Sequence, residues 1–151
     1  MKLVPTRRTD YGIRALIFLA NQTEGDDRAV APLTKASDIA SAMSIPPKFL
    51  PQLLQQLQRA RLVVSLPGPN GGHRLARPAS RISVREIVEA LEGPLDTSEC
   101  ALRGGPCHWK DVCALHWVWS SARHALVERL DAATLAVVAA EDRAMATGKR
   151  G

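Results

Sequence analysis

Ile13, Leu16, Ile17 and Ala20 fall at i, i+3, i+4 and i+7, which predicts an amphipathic helix starting near Thr9, whose hydroxyl is placed to cap it. The polar, glycine-containing stretch from Asn21 to Pro32 reads as a loop. Thr34 then stands where a second cap belongs, and Ala36, Ile39, Ala40 and Met43 repeat the helical spacing. After a tight turn at Ser44-Ile45-Pro46, Leu50, Leu53, Leu54 and Leu57 make the buried face of a third helix. Lys48, Gln52, Gln55 and Arg59 lie on its opposite face. Pro51 fits only in the first turn, where amides lack an intrahelical partner, so the regular helix is expected to begin near Lys48 or Phe49.

The period then changes. Leu62–Leu66 and His73–Arg77 flank Pro67-Gly68-Pro69-Asn70-Gly71-Gly72, predicting a β-hairpin with Asn70-Gly71 at its centre. Ser83-Val84-Arg85-Glu86 is a capping box, and Val84, Ile87, Val88 and Leu91 carry a fourth helix to Gly93-Pro94. Residues 95–112 form a loop rich in Cys, Gly and Pro, longer than a simple connection requires. Beyond it, Leu115, Trp119, Ala122, Leu126, Ala133 and Val137 mark a long helix, broken near Asp131, whose apolar stripe suits packing against a second copy. The fold class is mainly α with a small β-hairpin wing. Residues 1–80 are expected to form a winged helix-turn-helix, and residues 81–151 a helix, a cysteine-bearing loop and a dimerisation helix.

The chain of 151 residues is 46% hydrophobic, enough for one domain with a real core. No apolar run approaches the ~20 residues of a membrane span, and the first residues lack the apolar stretch of a signal peptide. A cytoplasmic protein without a membrane partner is expected. Charge is divided unevenly: residues 1–81 hold 12 Lys+Arg against 5 Asp+Glu, and residues 82–151 hold 8 against 10. Between Ile39 and Arg85 there is no acid at all. A one-signed surface on a winged helix implies double-stranded DNA as partner. Lys48, Gln52 and Gln55 would read base edges and Arg59 would meet phosphate, with the wing residues Asn70, Gly71, Gly72, His73 and Arg74 reaching the backbone or minor groove. Gly71 and Gly72 would let the backbone approach the groove closely.

All three cysteines lie within fourteen residues, as Cys100-x6-Cys107-x5-Cys113, with His116 three positions after the last. Their neighbours Glu99, Arg103, Gly104, Gly105, Pro106, His108 and Lys110 are not those of inert buried thiols. Soft thiolates select zinc or iron–sulfur clusters. Zinc sites usually use close Cys-x2-4-Cys pairs, absent here, whereas wide loops suit a cluster, whose anchor points are farther apart. Three thiolates leave a four-iron cluster one ligand short, to be supplied by His116 or by a carboxylate. The alternative is a zinc-stabilised Cys3His module that binds nucleic acid or protein. Cys107 beside His108 or His116 lacks the orienting group of an activated nucleophile, so no catalytic residue and no enzyme is expected.

Thr9-Asp10-Tyr11-Gly12-Ile13-Arg14-Ala15-Leu16-Ile17-Phe18-Leu19-Ala20, the wing Gly68–Leu75, the segment Ile82–Gly93 and the cysteine loop together resemble the NsrR/IscR-type winged-helix iron–sulfur regulators, the NsrR-like members most of all. The resemblance spans roughly residues 1–140. It implies a homodimeric transcriptional regulator, a repressor, whose cluster sets promoter affinity in response to nitric oxide or to redox and iron status. It further implies Cys100, Cys107 and Cys113 as ligands, completed by Asp10 from the partner subunit, with His116 as the alternative. A 4Fe-4S cluster is favoured over a 2Fe-2S one. The first cysteine gap is six residues here where the IscR pattern has five, and Pro51 stands in the third helix where relatives carry an acid.

Overall fold

Among the described residues, four further helices and a hairpin pack on the first helix, α1 (Arg7–Asn21), and a sixth helix packs on one of these. The computed structural model describes residues 4–23, 31–95, 99–100, 102–109 and 111–148. Part of the expected loop after α1, residues 24–30, and parts of the cysteine loop, residues 96–98, 101 and 110, lie outside them. Ala15, Leu16, Ile17, Leu19 and Ala20 are the buried side of α1, as their spacing predicts. Its cap is Thr6 rather than Thr9: the Thr6 backbone is extended and its hydroxyl accepts the Thr9 amide at 3.4 Å. Thr9 is inside the first turn, fully buried, and donates its hydroxyl to Glu92.

The second helix, α2, covers Ala36–Met43, with Lys35 at the capping position and no side-chain cap. Thr34 is taken up elsewhere: its amide and carbonyl bond His73 of the hairpin at 2.9 and 2.8 Å. The third helix, α3, runs from Leu50 to Arg59, slightly later than expected because residues 47–49 turn first, closed by the Phe49 amide on the Pro46 carbonyl at 3.1 Å. Pro51 is in the first turn, and Leu50, Leu53, Leu54 and Leu57 are buried. Strands β1 (Val63–Leu66) and β2 (Gly72–Leu75) pair antiparallel, Val63 opposite Leu75 and Leu66 opposite Gly72.

The hairpin turn differs in detail from expectation. The Gly71 amide bonds the Gly68 carbonyl at 3.0 Å, which centres the turn on Pro69-Asn70 and not on Asn70-Gly71. Proline's fixed φ suits the first central position of such a turn. A Cβ on Gly71 would lie 2.0 Å from the Leu66 carbonyl oxygen, and one on Gly72 2.7 Å from that of Thr34. Both glycines are therefore required by the chain's own packing.

The fourth helix, α4 (Val84–Glu92), starts in the anticipated capping box: Ser83 Oγ accepts the Glu86 amide at 3.2 Å, and Glu86 Oε2 accepts the Ser83 amide at 2.8 Å. The expected long helix is two, α5 (His116–Ala132) and α6 (Leu135–Ala146), with the break next to Asp131, where Thr134 caps α6. The Val84 amide to the Ala133 carbonyl and the Leu135 amide to the Ile82 carbonyl, both 2.8 Å, fasten this break to the start of α4. Helix α6 returns to α1 and buries Leu135 and Ala139. Ile82, Ile87, Leu91, Leu135 and Ala139 thus enter the same core as the leucines of α3. The result is a mainly helical winged helix with a two-strand wing. No described helix is long and apolar enough to cross a membrane.

We expect Gly71→Ala to destabilise the protein by about 2 kcal/mol, since a backbone oxygen must move. Gly68→Ala, strained at φ +94° but facing open space, should cost only about 1 kcal/mol. Urea denaturation of both variants checks the order.

Candidate functional site

Two surfaces carry the polar chemistry. On the first, Lys48, Gln52, Gln55 and Arg59 are all exposed along α3 and the turn before it. The Lys48 ammonium lies 4.9 Å from the Phe49 ring centre, and Phe49 stacks on Tyr11 of α1 with centroids 6.0 Å apart. Arg8 Nη2 donates to Gln56 Oε1 at 2.5 Å. Arg7, Arg8, Tyr11 and Phe49 line a groove with Gln52 beside α3. Sequence reasoning missed these residues, although the Arg7-Arg8 pair at the start of a helix was a signal that could have found them.

On the wing, Asn70 is exposed at the turn, and Arg74 and His73 are half-buried. His73 Nδ1 is 2.7 Å from Ser65 Oγ, and the Lys35 ammonium donates to the Gly68 carbonyl at 3.0 Å. Burial, and secondarily the Lys35 charge, push the His73 pKa down. Gly71 and Gly72 are buried.

The second surface is a half-open cleft that brings Cys100, Cys107, Cys113 and His116 together. A small hairpin shapes it: the Cys100 amide bonds the Gly105 carbonyl at 2.7 Å, and the Gly104 amide bonds the Cys100 carbonyl at 2.9 Å. Gly104 and Gly105 have φ of 70° and 68°, left-handed values that favour glycine. The backbone amides of Leu102 and Arg103 hold the Cys100 thiol pKa below its usual range, with smaller contributions from Cys107 and the Arg103 charge against opposing burial. Cys107 Sγ lies 3.4 Å from His116 Nδ1, in the first turn of α5. The Arg123 guanidinium, one face of α5 along, donates to the Glu99 carbonyl and anchors the loop's start.

Among the described residues no group of three or more metal-type donors closes around a single ion. Three thiols and an imidazole around one cleft are a soft donor set of the kind that zinc and iron–sulfur clusters both use. Asp10 is not in this cleft. It is half-exposed in the first turn of α1, 2.9 Å from Arg14.

Helix α5 buries no residue completely. Leu115, Val118 and Leu126 are exposed and share one side with Ala122. Trp119, expected on this outer stripe, instead lines the cysteine cleft, which Leu115 at the start of the stripe also touches, and Val118 takes its place. Trp119 and Arg123 as cleft residues were not foreseen, because a shift of one helical position rotates a side chain by about 100°.

A basic winged helix with an exposed polar recognition helix defines a helix-turn-helix DNA-binding protein. A family model described as Rrf2, iron-dependent transcriptional regulator, matches residues 5–141, and the chain belongs to this family. A Mycobacterium tuberculosis protein named as an HTH-type transcriptional regulator is 34% identical over 132 residues, covering 87% of this chain and 78% of the relative. The structure of CymR, the global cysteine regulator of B. subtilis, superposes with a TM-score of 0.71 at 28% identity, covering 93% of this chain and 98% of that one. That of T. potens IscR does so with 0.71 at 27% identity, covering 100% and 96%. The protein is a DNA-binding transcriptional regulator, not an enzyme.

His73 resists protonation in the folded wing, whereas the unfolded chain takes up its proton around pH 6.5. Stability from this group is therefore full above that pH and lost as the pH falls below it. Thermal unfolding measured from about pH 7.5 to about pH 5.5 should fall less steeply in His73→Gln than in the wild type, and equal slopes would contradict the assignment.

Proposed function

We propose that this regulator is a homodimeric repressor, made sensitive to nitric oxide or to redox and iron status by an iron–sulfur cluster on Cys100, Cys107 and Cys113. The observation that carries this reading is the gathering of all three thiols in one cleft beside His116. The family's iron dependence and the likeness to IscR support it. When bound, a 4Fe-4S cluster supplies iron and sulfide that nitric oxide and oxidants attack. His116, which lines the same cleft, is a candidate fourth ligand within the chain. Asp10 of the partner subunit is the one favoured by the NsrR-like resemblance.

In this reading residues 1–80 read DNA and residues 81–151 hold the cluster and the dimer seam. Lys48, Gln52 and Gln55 face base edges in the major groove, Arg59 neutralises phosphate, and Asn70, His73 and Arg74 reach the adjoining backbone or minor groove. Gly71 and Gly72 serve the wing by letting it fold. The Leu115, Val118, Ala122 and Leu126 side of α5 packs against its counterpart in the second copy. Thiolates bound at the cleft fix the loop against the base of α5, and their release frees it.

Anaerobically isolated protein should be brown and contain iron and acid-labile sulfide in equal amounts. Cys100→Ser, Cys107→Ser or Cys113→Ser should abolish both. Of Asp10→Ala and His116→Ala, the one that removes the fourth ligand should alter the Mössbauer spectrum. Colourless protein with one zinc per chain overturns the reading in favour of the zinc-stabilised module. Colourless, metal-free protein with a hyper-reactive Cys100 favours a thiol sensor instead. On promoter DNA, Arg59→Ala should lower the slope of log affinity against log salt by about 1 whatever the sequence. Gln52→Ala should cost about 1–3 kcal/mol on the cognate site alone.

A further inference from the structure

The cysteine loop leaves the core at the last turn of α4, and that turn grips the start of α1. Glu92 Oε1 accepts the Thr6 amide at 2.9 Å, the Thr6 hydroxyl at 2.6 Å and the Thr9 hydroxyl as well. Beside it, Leu91 packs so closely on Gly12 that a Cβ there would come within 2.4 Å of the Leu91 side chain. Thr9 is fully buried, while Glu92 is exposed. The carboxylate is thus not bonded to relieve its own burial; what it satisfies is the buried Thr9 hydroxyl, which loses this acceptor when Glu92 moves. On the other side, the Leu95 amide folds back onto Glu89 Oε1 at 3.1 Å, so the stem of the loop bears directly on this turn.

From the gripped end of α1 two contacts run straight to the reading surface. Arg8 bonds Gln56 of α3, and Tyr11 stacks on Phe49, next to Lys48. We propose that Glu92 is a positioning residue that couples the cysteine loop to the recognition helix by clasping Thr6 and Thr9 at the start of α1. The inference rests on the cluster-controlled function proposed above. A loop tied at its cysteines holds the last turn of α4 in place and the clasp shut. A freed loop lets that turn and Glu92 shift, and α1 carries the shift to Arg8 and Tyr11. The hydrogen bonds on Glu92 also hold its pKa down, Thr6 contributing most and Thr9 next, consistent with a carboxylate that accepts them as an anion.

The test is the ratio of promoter affinities of cluster-loaded and cluster-free protein, measured by fluorescence anisotropy. Glu92→Ala should bind as much iron per chain as the wild type but compress the ratio at least threefold toward one. Glu92→Gln, whose amide oxygen still accepts from Thr6 and Thr9, should keep most of it. Thr9→Val repeats the loss without touching α4, should Glu92→Ala fold poorly. Ser83→Ala weakens α4 at its far end and should leave the ratio intact. A full wild-type ratio in Glu92→Ala and Thr9→Val, or equal compression in Ser83→Ala, overturns the proposal alone. A wild-type ratio of one overturns both this coupling and the function on which it rests.

Discussion

Burial of one side of α1 is the constraint on which the molecule depends. Ala15 and Leu16 are wholly inaccessible and Leu19 nearly so, and α2, α3, α4, α6 and the second strand of the wing all pack on this helix. A fully buried leucine contributes about 1.5–3 kcal/mol of hydrophobic free energy. The recognition helix, the wing and the helix that bears the cysteine loop therefore share one core. None of them can be displaced far without disturbing the same few side chains.

Charge is distributed to match. The stretch from Ile39 to Arg85 contains no acid, but its arginines are not equivalent. Arg77 is paired with Glu86 at 2.5 Å and Arg85 with Glu89 at 3.3 Å, so the acids of α4 draw these two toward the back of the domain. Lys48 and Arg59 stay exposed on the recognition side, with Arg8 directed to Gln56 behind it.

Much of this was legible from apolar spacing. The four leucines of α3, the capping box of α4 and the break between α5 and α6 are local patterns, and each is realised where the residues place it. What escaped the sequence is decided by partners far along the chain. Thr6 rather than Thr9 caps α1 because Glu92, over eighty residues away, engages both hydroxyls. Thr34 is not a cap because His73 takes its backbone. In the cleft, the cysteines and His116 were recognisable from their spacing alone. Trp119 and Arg123 were not, since only the rotation of α5 against α4 decides which of its sides meets the loop.

The central claim is that the cysteine cleft and the DNA-reading surface communicate through α1. Hydrogen–deuterium exchange of anaerobically isolated protein, before and after removal of the proposed cluster, measures this most directly. The account predicts that removing the cluster raises exchange at the amides of residues 7–12 and 50–56 as well as in the loop itself. A change confined to residues 99–120, with α1 and α3 equally protected in both states, would contradict it.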